Sequence, residues 1–109
     1  MKKKNRIRKA QEFQTMIHSG KKAANHSFVM YWQPKKEEEC RIGITLSKKM
    51  GHAVDRNLIK RQVRMMCQDL VDFQNDPFDY VFIVRFGYKE HSYEANKNNL
   101  EKLFRKATM

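Results

Sequence analysis

Arg56, Asn57, Lys60, Arg61 and Arg64 recur at helical spacing directly after a glycine-containing loop that carries Lys48 and Lys49. At about 100° per residue these five side chains fall within an arc of roughly 140° and form one polar face. The planar fork of arginine suits bidentate contact with phosphates and base edges. Asn57 adds a donor and an acceptor that a merely solubilising face does not need. The chemistry this points to is recognition of folded RNA. A second set is aromatic: Phe13, Phe28 and Tyr31 offer rings on which single-stranded bases stack, with Arg6 and Lys9 close in sequence for the backbone. Strand alternation places Phe28 and Met30 on one face and Val29 and Tyr31 on the other, so only one of those faces borders such a groove.

No spacing in the chain assembles groups for cleavage by the protein itself. His18, His26, His52 and His91 are scattered over different segments and read as surface or structural histidines. Glu37, Glu38 and Glu39 are consecutive in a polar stretch and read as solvated; the other acids lie among lysines on helices, as in ordinary i, i+4 pairing. Gly43 and Gly51 are isolated, so no nucleotide-type phosphate cradle is present. Cys40 and Cys67 are too few and too far apart for a disulfide framework or a zinc site, and free thiols fit a reducing compartment. No catalytic residue and no metal ligand is assigned.

The elements that must hold these residues follow from periodicity. At 109 residues and 40% hydrophobic content the chain has one domain, residues 1–109. Residues 1–8 are basic and nearly devoid of apolar groups, as in a tail that is mobile until it meets phosphate. The same charged start is followed by no apolar stretch of signal-peptide length, and no run is long enough to span a membrane, so a cytoplasmic protein is expected. A first helix is predicted from about Lys9 to Ser19, with Phe13, Met16 and Ile17 on one face and Gly20 as its stop. Ser27–Trp32 and Arg41–Leu46 read as strands, joined as a hairpin by the polar QPKKEEE stretch; a short extra strand falls at Lys21–Ala24. The long helix is predicted from Ala53 or Asp55, with Asp55 as cap, to Phe73. Its apolar arc of Ile59, Val63, Met66, Cys67, Leu70 and Phe73 lies about 120° from the basic arc. Tyr80–Val84 is continuously apolar and so a central strand, and strand–helix–strand at this spacing makes a βαβ unit with parallel strands. A last helix starts at Ser92 and carries Leu100, Leu103, Phe104 and Ala107. The fold class is α+β, an α/β sandwich of order αβββαβα with a mixed sheet.

Lys and Arg number 23 against 12 Asp and Glu, a formal charge of +11 that opposes compaction unless a polyanion neutralises it. The basic residues lie on elements with ordinary core patterns and no amphipathic anchor is evident, so nucleic acid is favoured over an acidic membrane.

The run RIGITLSKKMGHAVDRNLIKRQVR from Arg41 to Arg64 closely resembles the signature of the bacterial ribonuclease P protein subunits: a strand, SKK and a glycine, then A-V-x-R-N-x-x-K-R-x-x-R. The resemblance continues in the basic N-terminus, the E-F of the first helix, N-x-x-F-V-x-Y at Asn25 to Tyr31, D-Y before an apolar strand ending in Arg85, and a final Y-E-x-x-K-x-x-L-x-x-L-F-R-K. It implies a small α/β sandwich, with a left-handed βαβ crossover, that joins a large catalytic RNA to remove the 5′ leader of precursor tRNA. The RNA cuts, using magnesium ions. The implied partners are the ribonuclease P RNA and precursor tRNA, with neither DNA nor membrane. Carried onto matching positions, Lys48, Lys49, Arg56, Asn57, Lys60, Arg61 and Arg64 face the catalytic RNA, while Arg6, Lys9, Phe13, Ile17, Phe28 and Tyr31 border the leader cleft. Two departures stand out. Ile17 occupies a position where relatives often carry an aromatic, and MMCQ after Arg64 ends the basic face where many relatives continue with charges.

The function so implied is that of a noncatalytic subunit of an endoribonuclease that matures the tRNA 5′ end. Composition alone equally suits a structural RNA-binding protein of ribosomal type with no part in cleavage; only the signature separates the two. A protein-only nuclease is disfavoured by the lack of an acidic cluster.

Overall fold

The computed structural model describes residues 1–108. Its centre is β4, Phe78–Val84, whose continuous apolar run from Tyr80 to Val84 lets it be covered on both faces. β4 runs antiparallel to β2 (Phe28–Pro34), with Phe28 opposite Val84, and parallel to β3 (Ile42–Leu46), with Ile42 opposite Tyr80. β1 (Lys21–Ala24) completes the order β1-β2-β4-β3.

The expected hairpin between the two strands before the long helix is therefore not formed, because β4 lies between them. The hairpin is β1–β2 instead, turned at Asn25, whose side-chain Oδ1 accepts from the backbone N–H groups of Ser27 and Phe28, each at 3.1 Å. The QPKKEEE stretch carries the chain across the start of β4. There Asp79, fully buried within an otherwise apolar strand, accepts from the N–H of Arg41 at 2.9 Å.

Two layers cover the sheet. Phe28, Met30, Trp32, Tyr80 and Phe82 face α2 (Ala53–Leu70) and α3 (Tyr93–Thr108), which bring Ile59, Val63, Met66, Leu100, Leu103 and Phe104 into one core. Tyr31 and Val81, with Val29 and Ile83, face the opposite way against Met16, Phe13 and Ile17 of α1 (Ala10–Ser19). The α2 helix ends at Leu70, short of Phe73. Asp55 is not its cap: it lies inside the first turn, accepting the His52 N–H at 3.1 Å. Ser92 does cap α3, its Oγ accepting from Ala95 N–H at 3.2 Å.

The N-terminal segment expected as a mobile tail is laid along the edge of β3. Asn5 is buried and donates to the Cys40 carbonyl at 2.9 Å, Ile7 N–H donates to Ile42 O at 3.0 Å, and Ile7 is 4% exposed. These two uncharged side chains dock the segment while Lys2, Lys3 and Lys4 stay in solvent. Among the described residues no helix is long and apolar enough to cross a membrane.

Candidate nucleic-acid interface

The rotation of α2 is set by Ile59, Val63, Met66 and Cys67, all buried against the sheet. With that arc fixed, Arg56, Asn57, Lys60, Arg61 and Arg64 emerge to one side: Asn57 and Arg61 exposed, the other three half-buried. Lys48 and Lys49 sit just upstream in a 3-10 turn started by Ser47, whose Oγ accepts from Lys49 N–H at 3.1 Å. Gly51 then turns into the helix at φ 131°, a left-handed value that disfavours any side chain.

Among the described residues none of these six cations is paired with an acid; the ion pairs involve Lys4, His26, Arg41, Lys97 and Arg105 instead. The Nε groups of Arg6 and Arg56 are buried without an acceptor. Partial burial, and secondarily the charge of Arg6, hold the Arg64 guanidinium below the usual arginine value. Arginines left unpaired beside one another are a disposition that an external anion relieves.

A groove of about 490 Å³ runs beside this face. Phe13 and Ile17 of α1 form one wall, Lys60 and Arg64 of α2 the other, and Ile44 and Thr45 of β3 the floor. The sequence placed these residues in two separate sets; the structure brings them to one site. Phe13 comes this close to β3 because Gly43 has no side chain: a Cβ there would stand 2.6 Å from Phe13 Cζ.

Other residues assigned to the cleft lie elsewhere. Phe28 is fully buried on the far side of the sheet, edge-on to Phe82 and Tyr88 at centroid distances of 6.1 and 5.7 Å, so it cannot border the groove. The register places its neighbour Val29 on the α1 side. Tyr31 is on the correct face but only 9% exposed, packed beneath Met16 with the Lys22 ammonium 5.8 Å from its ring centre. It supports α1 rather than offering a free ring. Lys9 precedes α1 in solvent and does not line the groove; Arg8 does. Arg6 pairs beside Ile42 and lines a separate depression of about 340 Å³ with Arg61, Arg64 and Met65, which joins it to the α2 face. Arg8, Gln14 and Thr45 were missed because the side of a strand or first turn on which a groove opens is a tertiary property.

Glu101 and Arg105 form the expected i, i+4 pair on α3 at 3.2 Å, but other acids reach across the fold. Glu12 on α1 accepts two hydrogen bonds from Arg41, at 2.8 and 3.4 Å, and Arg41 in turn reaches the buried Asp79 at 3.1 Å. This bridge ties the groove's outer wall to the sheet. Among the described residues no cluster of three or more His, Cys, Asp or Glu is placed to hold a metal ion.

The family model described as Ribonuclease P matches residues 1–108. Proteins named ribonuclease P protein component from Bacillus cereus (strain AH187) and Bacillus anthracis (strain CDC 684 / NRRL 3495) are each 44% identical over 110 aligned residues, covering 100% of this chain and 96% and 92% of their own length. The solved RNase P protein of Staphylococcus aureus superposes with a TM-score of 0.81 at 34% identity, over 94% of each chain. That of Thermotoga maritima gives 0.76 at 26% identity, over 90% of this chain and 93% of its own.

Proposed function

The chain belongs to the ribonuclease P protein family, and from that premise we propose how its surface divides the work of the ribonucleoprotein. Ribonuclease P is an endoribonuclease of tRNA processing with an RNA subunit, and this chain is its protein subunit. The match over residues 1–108 displaces the alternative of a structural RNA-binding protein with no role in cleavage.

In our reading Lys48, Lys49, Arg56, Asn57, Arg61 and Arg6 contact the ribonuclease P RNA, and the groove beside them takes the single-stranded 5′ leader of precursor tRNA. Phe13 and Ile17 would hold bases, with stacking on an aromatic worth about 1–3 kcal/mol per base. Arg8, Lys60 and Arg64 would follow the phosphates. The observation that carries this is the groove itself: apolar on the α1 wall, cationic on the α2 wall, and continuous with a basic face that has no internal acids to satisfy it. Lys60 and Arg64 belong to both surfaces, so leader and catalytic RNA would meet along α2. Magnesium we assign to the RNA, since the donor set among the described residues does not fit a protein-held ion. The cytoplasm is the compartment where these partners are expected.

Such a groove raises affinity only for a substrate that still has its leader, which is differential binding of precursor over product. The test is to measure the affinity of precursor and mature tRNA for the catalytic RNA with and without this protein. A gain confined to the precursor is expected; equal gains for both would overturn the leader assignment.

A further inference from the structure

The run MMCQ that ends the basic stripe of α2 divides by the helix period into two pairs. Met66 and Cys67 are fully buried in the core, whereas Met65 and Gln68 are exposed, Met65 with 53% of its surface in solvent. A lone apolar side chain in the open is ordinary, but this one is part of a wall. Arg61, Arg64, Met65 and Gln68, at i, i+3, i+4 and i+7 on one helix face, line a depression of about 340 Å³ that Arg6 of the N-terminal segment closes from the other side. We propose that this depression holds a single unpaired nucleotide of the ribonuclease P RNA, its base against the Met65 thioether and its phosphates on Arg6 and Arg61.

The inference rests on the assignment of the α2 face to the catalytic RNA and goes beyond it in the kind of contact made. The chemistry of the depression is graded along the helix. At its start it is cationic: Arg6 and Arg61 pair with no acid among the described residues, and the Nε of Arg6 is buried without an acceptor. At its end the Gln68 amide offers a donor and an acceptor, and Asp69, held at Oδ2 by Lys97 Nζ at 3.0 Å, keeps Oδ1 as an acceptor. At 1.5 Å of rise per residue these two ends stand about 10 Å apart along the axis. Between them lies Met65, whose polarisable thioether packs well against aromatic rings. The arginines draw phosphate and the Asp69 carboxylate repels it, so the backbone lies toward Arg61 and the edge of the base toward Gln68.

Size and charge select this occupant. A volume of about 340 Å³ lies at the lower end of small-ligand pockets, which begin near 300 Å³, and admits one nucleotide rather than a base pair. Side chains cannot read the deep major groove of an RNA helix, so a concave contact of this size suits a nucleotide that is out of the stack. A second copy of this chain would bring another charge of +11 against the same arginines.

Binding of the ribonuclease P RNA by the full chain is measured across a salt series for the wild type, Met65→Ser, Met65→Leu and Arg56→Ala. A thioether contact releases no counterions, so Met65→Ser is expected to weaken binding about 2- to 10-fold at every salt concentration while the slope stays that of the wild type. Met65→Leu, which keeps the apolar volume, should retain most of the affinity. Arg56, which does not line the depression, tests the premise: its alanine variant should lower the slope by about 0.7 to 0.9. A lowered slope there beside wild-type affinity in Met65→Ser overturns the nucleotide site alone, and no change in either variant overturns the premise together with the site. Cys40 and Cys67 are buried, so a photo-crosslinker attached through Met65→Cys reports from the depression. Labelling of one unpaired nucleotide is expected; labelling spread over paired positions would overturn the site.

Discussion

The ring of Phe13 occupies the space that any side chain at position 43 would claim. An ideal Cβ on Gly43 would meet Phe13 Cζ at 2.6 Å and Cε1 at 2.9 Å, and Ile7 Cβ at 3.2 Å. Gly43 therefore sets how far the aromatic wall of the groove can lean over β3. Gly43→Ala is expected to swing the ring outward at an overpacking cost of about 1–3 kcal/mol. The α2 face, on the other side of the groove floor, has no contact with position 43 among these three and should keep its affinity for the catalytic RNA. Equilibrium binding should thus show a reduced preference for precursor over mature tRNA at unchanged RNA affinity. A matching loss of both would mean that Phe13 serves the fold rather than the groove. Ile17 gives the same wall an aliphatic where an aromatic would stack, so Phe13 is the one ring facing the groove and the more sensitive position.

At the scale of elements, α1 is held lightly: Met16 is its one buried residue, and the Glu12–Arg41–Asp79 bridge does much of the fastening. The hydrogen bond from Arg41, aided by its charge, holds the Glu12 carboxyl below the ordinary value of 4.5. A carboxyl with a depressed folded-state pKa stabilises the protein above its unfolded-state value and loses that contribution as pH falls through the folded one. Unfolding temperatures of the wild type should therefore fall as pH drops below about 4.5, and Glu12→Gln should remove part of that slope while lowering stability at neutral pH. An identical pH dependence in the variant would show that the bridge is too well solvated to matter. The bridge also shows where sequence reading stops. Helix period, the Ser92 cap of α3 and both arcs of α2 were legible because they are local, i to i+4 relations. The pairing of Glu12 with Arg41 joins residues 29 apart and left no periodic trace. The parallel pairing of β3 with β4 was legible from the strand–helix–strand spacing, but the expected β2–β3 hairpin failed for the same reason. Alternation in β2 and β3 defines which side chains share a face, not which strand lies alongside, and both strands were equally able to flank the apolar β4. The same ambiguity put Phe28 in the cleft, since alternation separates it from Tyr31 without saying which face meets α1.

For the whole molecule the decisive quantity is the +11 charge and its arrangement. Acidic side chains pair with cations outside the basic stripe of α2: Glu39 with Lys4 at 2.7 Å, Asp69 with Lys97 at 3.0 Å and Glu101 with Arg105 at 3.2 Å. The α2 face keeps its cations unpaired, so its attraction for a polyanion is not discounted by internal partners that would first have to be displaced. Each phosphate neutralised releases condensed counterions and contributes about 0.7 to 0.9 to the slope of log affinity against log salt. If Arg56, Arg61 and Arg64 each meet one phosphate, the triple alanine variant should flatten that slope by about 2 to 3. The three side chains lie outside the buried arc of Ile59, Val63, Met66 and Cys67, so the helix should keep its seat on the sheet. Binding of the catalytic RNA across a salt series reads the slope directly. An unchanged slope with weakened binding would show that these arginines read base edges or shape rather than phosphates, and an unchanged slope with unchanged binding would move the RNA contact away from α2 altogether.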